Sequence, residues 1–289
     1  MSTLAVEADT AVDLEPRRKP LWRTAFGSGQ GLVGVVLIAA ISVLGLLGPL
    51  FTQYDPLVQI PYANLLGPSA EHWFGTDELN RDVFARVLEG IRVDLFIVFV
   101  AVPLGAVIGG SIGLVASVNP VADVVAQRVF DLVLAFPALI FAIALSAITG
   151  PGLHAVVIVI IAAEIPLFGR HIRTAVLQVR EHAYVEAAEV IGAGTWWTLR
   201  RHILPNVLEP LSVQLALSMS IAVFIEGAMS FIGIGVRPPD PSLGSILDES
   251  IANLDANWAM AAGPLVVVTG LTLGFLLIAQ SLGRARRIG

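Results

Sequence analysis

Few side chains in this sequence are equipped for chemistry, and they are scattered. Ser230 in GAMSFIG lacks the Gly-x-Ser-x-Gly frame of a serine nucleophile, and no His is placed in a facing segment to activate it. His72, His154, His171, His182 and His202 form no His-Glu-x-x-His pair. With no Cys, neither disulfides, thiolate metal sites nor thiol catalysis are available. Asp77, Glu78, Asn80 and Asp82 in GTDELNRDVFAR offer oxygens but not the Gly and closing Glu of a calcium loop. They read instead as a helix start, with Asp77 as cap and Arg81 and Arg86 paired to nearby acids. Lys19 is the only Lys, so no Gly-x-x-x-x-Gly-Lys phosphate loop exists. Three features remain: Glu164 and Glu226 inside apolar runs, and the polar stretch EAAEVIGAGTWWTLRRHILPN from Glu186 to Asn206.

The elements that position them are membrane helices. Of 289 residues, 56% are hydrophobic and 14% charged, with a mean hydropathy of +0.81, far from soluble averages. A hydrocarbon core of about 30 Å takes about 20 apolar residues as a helix. Spans are expected near 31–51, 95–118, 125–148, 154–168, 210–235 and 262–282. Their Gly and Ala content, as in LGAVIGGSIGLVAS, suits close helix packing. No run alternates with the period of two that a membrane barrel requires. The fold class is therefore all-α and polytopic, with six transmembrane helices.

Orientation follows from Arg and Lys, which collect on the cytoplasmic side. With six spans, 13 of the 17 basic residues fall on one side, and only Arg81, Arg86, Arg92 and Arg237 on the other. Both termini and the 186–206 stretch are expected to be cytoplasmic. Residues 1–30 have no signal-peptide order and read as a polar tail, mobile over its first twenty or so residues; 283–289 form a second tail. The outer segments run from about Thr52 to Asp94 and from about Val236 to Trp258, the latter opened by Pro238, Pro239 and Pro241. The second is either a gate or docking rim, or a plain turn between spans.

Between residues 170 and 207 the sequence is helix-compatible from His171 to Ala193, breaks at Gly192 and Gly194, and resumes with Thr195 as N-cap through His202. Pro205 is expected to end that second helix. The product is a helix-turn-helix projection, too polar for lipid and too short for its own core. Its face at Ala187, Ala188, Val190 and Ile191 suits a knob entering a socket on another protein. The alternative is an interfacial helix with the Trp196–Trp197 pair at the headgroups.

EAAEVIGAGTWWTLRRHILPN resembles the EAA motif of ABC importer permeases, in Glu186, Ala187, Ala188, Gly192, Leu204 and Pro205. FGTDELNRDVFARVLEGIRVDL, FGRHIRTAVLQVREHAYVEAA and EGAMSFIGIGVRPPDPSLGSIL are similar to the dipeptide, oligopeptide and nickel branch, second-permease type. The resemblance covers roughly Leu21 to Leu282. It departs at Asn80 (usually Gly), Glu164 (usually small), Ile165 (commonly aromatic) and Leu243 (frequently Trp).

The resemblance implies a type I ABC importer permease in the bacterial inner membrane, importing peptides or, alternatively, nickel or another small solute. Its implied partners are a second homologous permease, two ATP-binding subunits that hold ATP and Mg²⁺, an extracytoplasmic solute-binding protein, and lipid. Nucleic acid is not expected. Glu186 would make a polar contact in the ATPase groove, Ala187 and Ala188 would allow close approach, and Gly192 would make the turn. Glu226, Ser230 and Glu164 are candidates for the translocation path or gate, with Glu226 16 residues into its span, about 24 Å along a helix. A structural hydrogen bond is the alternative role for Glu226. A secondary transporter relaying protons through Glu164 and Glu226 would show inverted repeats, and none is evident.

Overall fold

The computed structural model describes residues 26–288; the tail expected over 1–30 lies outside it for residues 1–25. Eleven helices are found among the described residues. They are α1 (Gly29–Leu46), α2 (Gly48–Phe51), α3 (Val83–Ala116), α4 (Pro120–Leu134), α5 (Ala138–Thr149), α6 (Leu153–Arg180), α7 (Ala183–Val190), α8 (Thr195–Thr198), α9 (Leu204–Phe231), α10 (Leu243–Ile251) and α11 (Ala259–Ile288). A π-helical turn, Leu199–Ile203, joins α8 to α9, so one helix runs from Thr195 to Phe231. Five helices are long and apolar enough to cross a membrane, and α4 with α5 makes a sixth only as a pair bent by 90°.

That bend corrects the single span expected over 125–148. Pro137 has no N–H to donate and disfavours helical geometry at Phe136, so the chain stops at Leu134 and restarts behind Pro137 in a new direction. The other spans differ in length. α3 starts at Val83 instead of residue 95, α6 runs on to Arg180 instead of stopping at 168, and α9 starts at Leu204 instead of 210. Polar residues mark these extra turns, and helices continue beyond lipid once tertiary contacts cover them.

The core lies where α3, α6, α9 and α11 meet, with Ile97, Val98, Val156, Ile160, Val223 and Leu271 among its buried side chains. Glycine sets how closely α3 approaches α6. A Cβ on Gly109 would run into the Ile165 carbonyl and one on Gly113 into the Gly169 backbone, so neither position tolerates a side chain without moving a helix. At one end of the bundle the start of α1 meets the end of α11, where the Ser28 and Ser281 hydroxyls lie 2.6 Å apart.

At the opposite end, residues 52–82 form an irregular cap. Asp82, not Asp77, is the N-cap of α3: its Oδ1 accepts from the Ala85 N–H at 2.7 Å and its Oδ2 meets His72 Nδ1 at 2.8 Å. Asp77 instead organises its own turn, accepting from the backbone N–H groups of Leu79 and Arg81 and from Arg81 Nε at 2.7 Å. Arg81 and Arg86 both reach Glu249 of α10, at 3.2 and 2.9 Å, which ties the cap to the segment between α9 and α11. Asn257 Nδ2 adds bonds to the Leu66 and Phe74 carbonyls, at 3.2 and 2.9 Å.

Candidate functional site

The Glu186–Asn206 stretch lies at the Ser28–Ser281 end of the bundle, as a short helix, a turn and the first turns of a long helix. The helix expected over His171–Ala193 is two helices: α6 ends at Arg180, Glu181 caps it, and α7 begins at Ala183. Gly192 takes the turn at φ +84°, a left-handed conformation that glycine adopts without Cβ strain. Gly194, not Thr195, is the N-cap of α8.

Pro205 does not end the second helix. The π-turn before it has the Leu204 N–H reaching back to the Leu199 carbonyl, and this wider backbone takes up the proline ring that would clash in a regular α-helix. Leu204 is half-buried and Pro205 exposed in the unbroken rod.

The stretch also has the small core that seemed out of reach for its length. Val185, Leu199, Ile203 and Val207 pack with Ile172, Val176 and Val179 from the extended end of α6. The sequence gives this signal only once α6 is known to continue past residue 168, because α6 supplies half of the cluster.

The knob residues divide between two faces. Ala188 is buried at 5% exposure and fixes α7 to its support, whereas Glu186 and Ala187 are exposed. Val190 and Ile191 are about four-fifths exposed, and Trp196 and Trp197 about half. An exposed apolar surface of this kind, held on a turn with a carboxylate at its edge, is suited to a protein socket.

The intramembrane carboxyls are buried and bonded. Glu164 of α6 accepts from Ser218 Oγ of α9 at 2.7 Å, and Gln214 Nε2 donates to the same Ser218 hydroxyl at 3.2 Å. Gly105 of α3 makes room, since a Cβ there would lie 2.5 Å from Glu164 Cβ. Glu226 has no exposed surface. Ser230 Oγ donates to its Oε1 at 2.8 Å while accepting from the Val236 N–H at 3.0 Å. Glu164 and the Glu226–Ser230 pair thus occupy separate places along α9. An open cavity of about 790 Å³ near the cap, lined in part by Tyr54, Asp55, Glu89, Arg92 and Asp240, includes neither Glu164 nor Glu226.

Two polar groups escaped the sequence reading. Asp94 in IRVDLFIVF stands at the expected end of a loop, but α3 carries it, fully buried, to the Glu226 carboxyl. Glu249 sits in an ordinary helical pattern, and only the fold brings it to Arg81 and Arg86. Burial pushes its carboxyl above the ordinary range, against the pull of those two guanidinium groups.

Comparison with known proteins agrees with this architecture. Residues 101–287 match the family model described as binding-protein-dependent transport system inner membrane component. The chain is 35% identical to the dipeptide transport system permease protein DppC of Alkalihalophilus pseudofirmus, over 90% of this chain and 88% of that one. It is 33% identical to the probable D,D-dipeptide transport system permease protein DdpC of Escherichia coli K12, over 89% and 86%. It is 30% identical to the glutathione transport system permease protein GsiD of Pectobacterium atrosepticum, over 98% and 94%. Among solved structures, the inward-facing MetNI methionine ABC transporter superposes with a TM-score of 0.58 at 19% identity, over 71% of this chain and 96% of that chain, a likeness of fold. The chain belongs to the family of binding-protein-dependent transport system inner membrane components, as a multi-pass permease subunit of an ABC transporter.

Proposed function

We propose that this chain is one of two permeases of an ATP-driven peptide importer. The observation that carries the coupling role is the turn at Glu186–Gly192, exposed at its tip and followed from Thr195 by the unbroken helix that holds Ser218 and Glu226. ATP and Mg²⁺ are bound by two separate ATP-binding subunits, one of which receives this turn in a surface groove. Glu186 bonds at the groove edge, Ala187 permits close approach, Gly192 fixes the turn, and Ala188 and Leu204 hold the turn on its support, with Pro205 exposed beside it. Both chain ends and the turn face the cytoplasm, as the basic residues indicate.

Closure of the ATPase pair moves the turn, and the two permeases rock between inward-open and outward-open states. ATP drives this step only because the two states contact the ATPases differently. A solute-binding protein delivers cargo at the opposite face, where the 52–82 cap and α10 form the rim. Peptide is the favoured cargo because the relatives are named for dipeptide and glutathione transport.

The test is a mild-detergent pull-down of the tagged chain expressed with its genomic neighbours, followed by ATP hydrolysis in liposomes. Co-purification of ATPases and a second permease, with hydrolysis stimulated by a peptide-loaded binding protein, is the expected result. A chain that purifies alone and transports under a proton gradient would overturn the reading.

A further inference from the structure

Beneath the second outer segment, Asp94 of α3 and Glu226 of α9 meet with no exposed surface on either residue. Neither Asp94 oxygen, nor Glu226 Oε2, receives an N–H or O–H donor among the described residues. The start of α10 closes over them. Ser242, its N-cap, lies against the Glu226 carboxyl. Gly90 of α3 takes Ser242 and Leu243 so closely that a Cβ there would sit 3.1 Å from the Leu243 nitrogen. Gly244 rests on Gly227 of α9, where a Cβ would come within 2.9 Å of the Gly227 Cα.

No cation answers these two carboxyls: none of the ion pairs among the described residues includes Asp94 or Glu226. The charged groups on the surrounding elements are engaged elsewhere or face outward. On α3, Arg86 is held by Glu249, and Arg92 by Glu89 and the Leu46 carbonyl. In the segment before α10, Arg237 donates to the Gly233 carbonyl and Asp240 is exposed; on α10, Glu249 serves Arg81 and Arg86 and Asp248 is exposed. On α6, Glu164 is bonded to Ser218 and His154 to the Thr149 carbonyl. α11 carries no charged residue before Arg284.

Two adjacent buried carboxylates with no counter-ion, and with a donor to only one of their four oxygens, would repel each other and lose their hydration with little in return. A single proton removes both costs, because it turns one group into a donor and the other into its acceptor. We propose that Asp94 and Glu226 share a proton, and that this proton fastens the start of α10 and the outer end of α9 to α3. Its loss places two charges face to face beneath α10 and loosens the outer segment. The pair is therefore a proton-binding site in the permease, independent of cargo and of the ATPases.

Infrared spectroscopy of the full chain in liposomes at neutral pH tests the first part, in a Glu164→Gln background that removes the other buried carboxyl of the membrane helices. A protonated-carboxyl carbonyl band is expected, and its loss in Asp94→Asn/Glu226→Gln. Absence of the band, or a band that this double substitution leaves unchanged, would overturn the shared proton. The second part is read by thiol labelling, since the native chain has no Cys. Leu243→Cys, fully buried at the start of α10, is compared with Ile251→Cys, 55% exposed at its end, using a membrane-impermeant maleimide. The ratio of the two labelling rates should rise several-fold from neutral to alkaline pH and stay flat in the double variant. A ratio that does not move with pH in the otherwise native chain would overturn the fastening.

Discussion

The Ser218 hydroxyl of α9 donates to the Glu164 carboxylate of α6 at 2.7 Å, and Gln214 supports the same hydroxyl from one turn away. This places an acid between the two helices that form much of the core and gives it a defined partner. Removing the donor while leaving the buried acid costs about 1–3 kcal/mol. Ser218→Ala should therefore lower the thermal midpoint of the detergent-purified chain. Ser218→Ala combined with Glu164→Gln should recover part of that loss, because a neutral amide is less costly to leave in place.

At the α7–α8 turn, Glu186→Lys reverses the charge of an exposed side chain that makes no packing contribution. Membrane insertion and unfolding temperature should be unchanged within about 0.5 kcal/mol, as for most surface substitutions. ATP-driven uptake by the assembled transporter should be lost. Normal uptake by this variant would remove Glu186 from the coupling role.

Gly192→Ala separates conformation from contact. No atom lies within 4 Å of the added Cβ, but φ is +84°, so the cost of about 1 kcal/mol comes from the backbone alone. Gly194→Ala, in equally open space at φ −68°, should cost less, about 0.5 kcal/mol for its place as N-cap. Equal losses of coupling in the two variants would mean that the turn is recognised by shape at both glycines and not set by Gly192.

Close packing of α3 on α6 predicts a larger effect at Gly109. Its Cβ would meet the Ile165 carbonyl, a backbone atom that cannot rotate away. Gly109→Ala should cost about 1–3 kcal/mol, the usual penalty for overpacking. Gly29→Ala, where nothing lies within 4 Å, serves as the control. Both are read as yield of monodisperse protein and as thermal midpoint.

Where α10 meets the cap, Glu249 is held by Arg81 and Arg86, whose side chains are 4% and 1% exposed. Glu249→Ala takes away the oxygens that accept from two buried guanidinium groups and leaves those donors unpaired, at a cost of about 3 kcal/mol. The pH dependence has the opposite sense to that of an ordinary surface acid. Because burial raises this carboxyl in the folded chain above its unfolded value, the folded state binds the proton more tightly. Stability present below the ordinary carboxylate range is lost as pH rises through the interval up to the raised value. That slope should be absent in Glu249→Gln, and an unchanged slope would assign it to another group.

The sequence made most of the helices legible because lipid demands long apolar runs, and it made the turn legible because Gly192 and Gly194 interrupt a polar helix. It did not show where helices continue past the lipid. α3 and α6 both extend through charged turns whose partners come from elsewhere in the chain, such as Glu249 for Arg86 and Asp123 for Arg173, the latter at 2.6 Å. Pro205 and Pro137 had similar local signals and opposite outcomes, since a π-turn absorbs one and a 90° bend follows from the other. Asp94 was hidden for a related reason. An acid at the edge of an apolar run looks like a loop boundary until a second helix brings another acid to it.

The 37-residue helix from Thr195 to Phe231 has a mechanical consequence. At about 1.5 Å per residue it is about 55 Å long, with the exposed turn at one end and Glu226 and Ser230 near the other. Tilting it by about 5° around its middle would move each end by about 2 Å in opposite directions, which is enough to break a hydrogen bond at either place. A push at Trp196 would then be felt at Ser230 without any intervening chain of side-chain rearrangements. The π-turn at Leu199–Ile203 and Pro210, which gives up one helical hydrogen bond, are soft joints along it, so their stiffness sets how much of each stroke arrives.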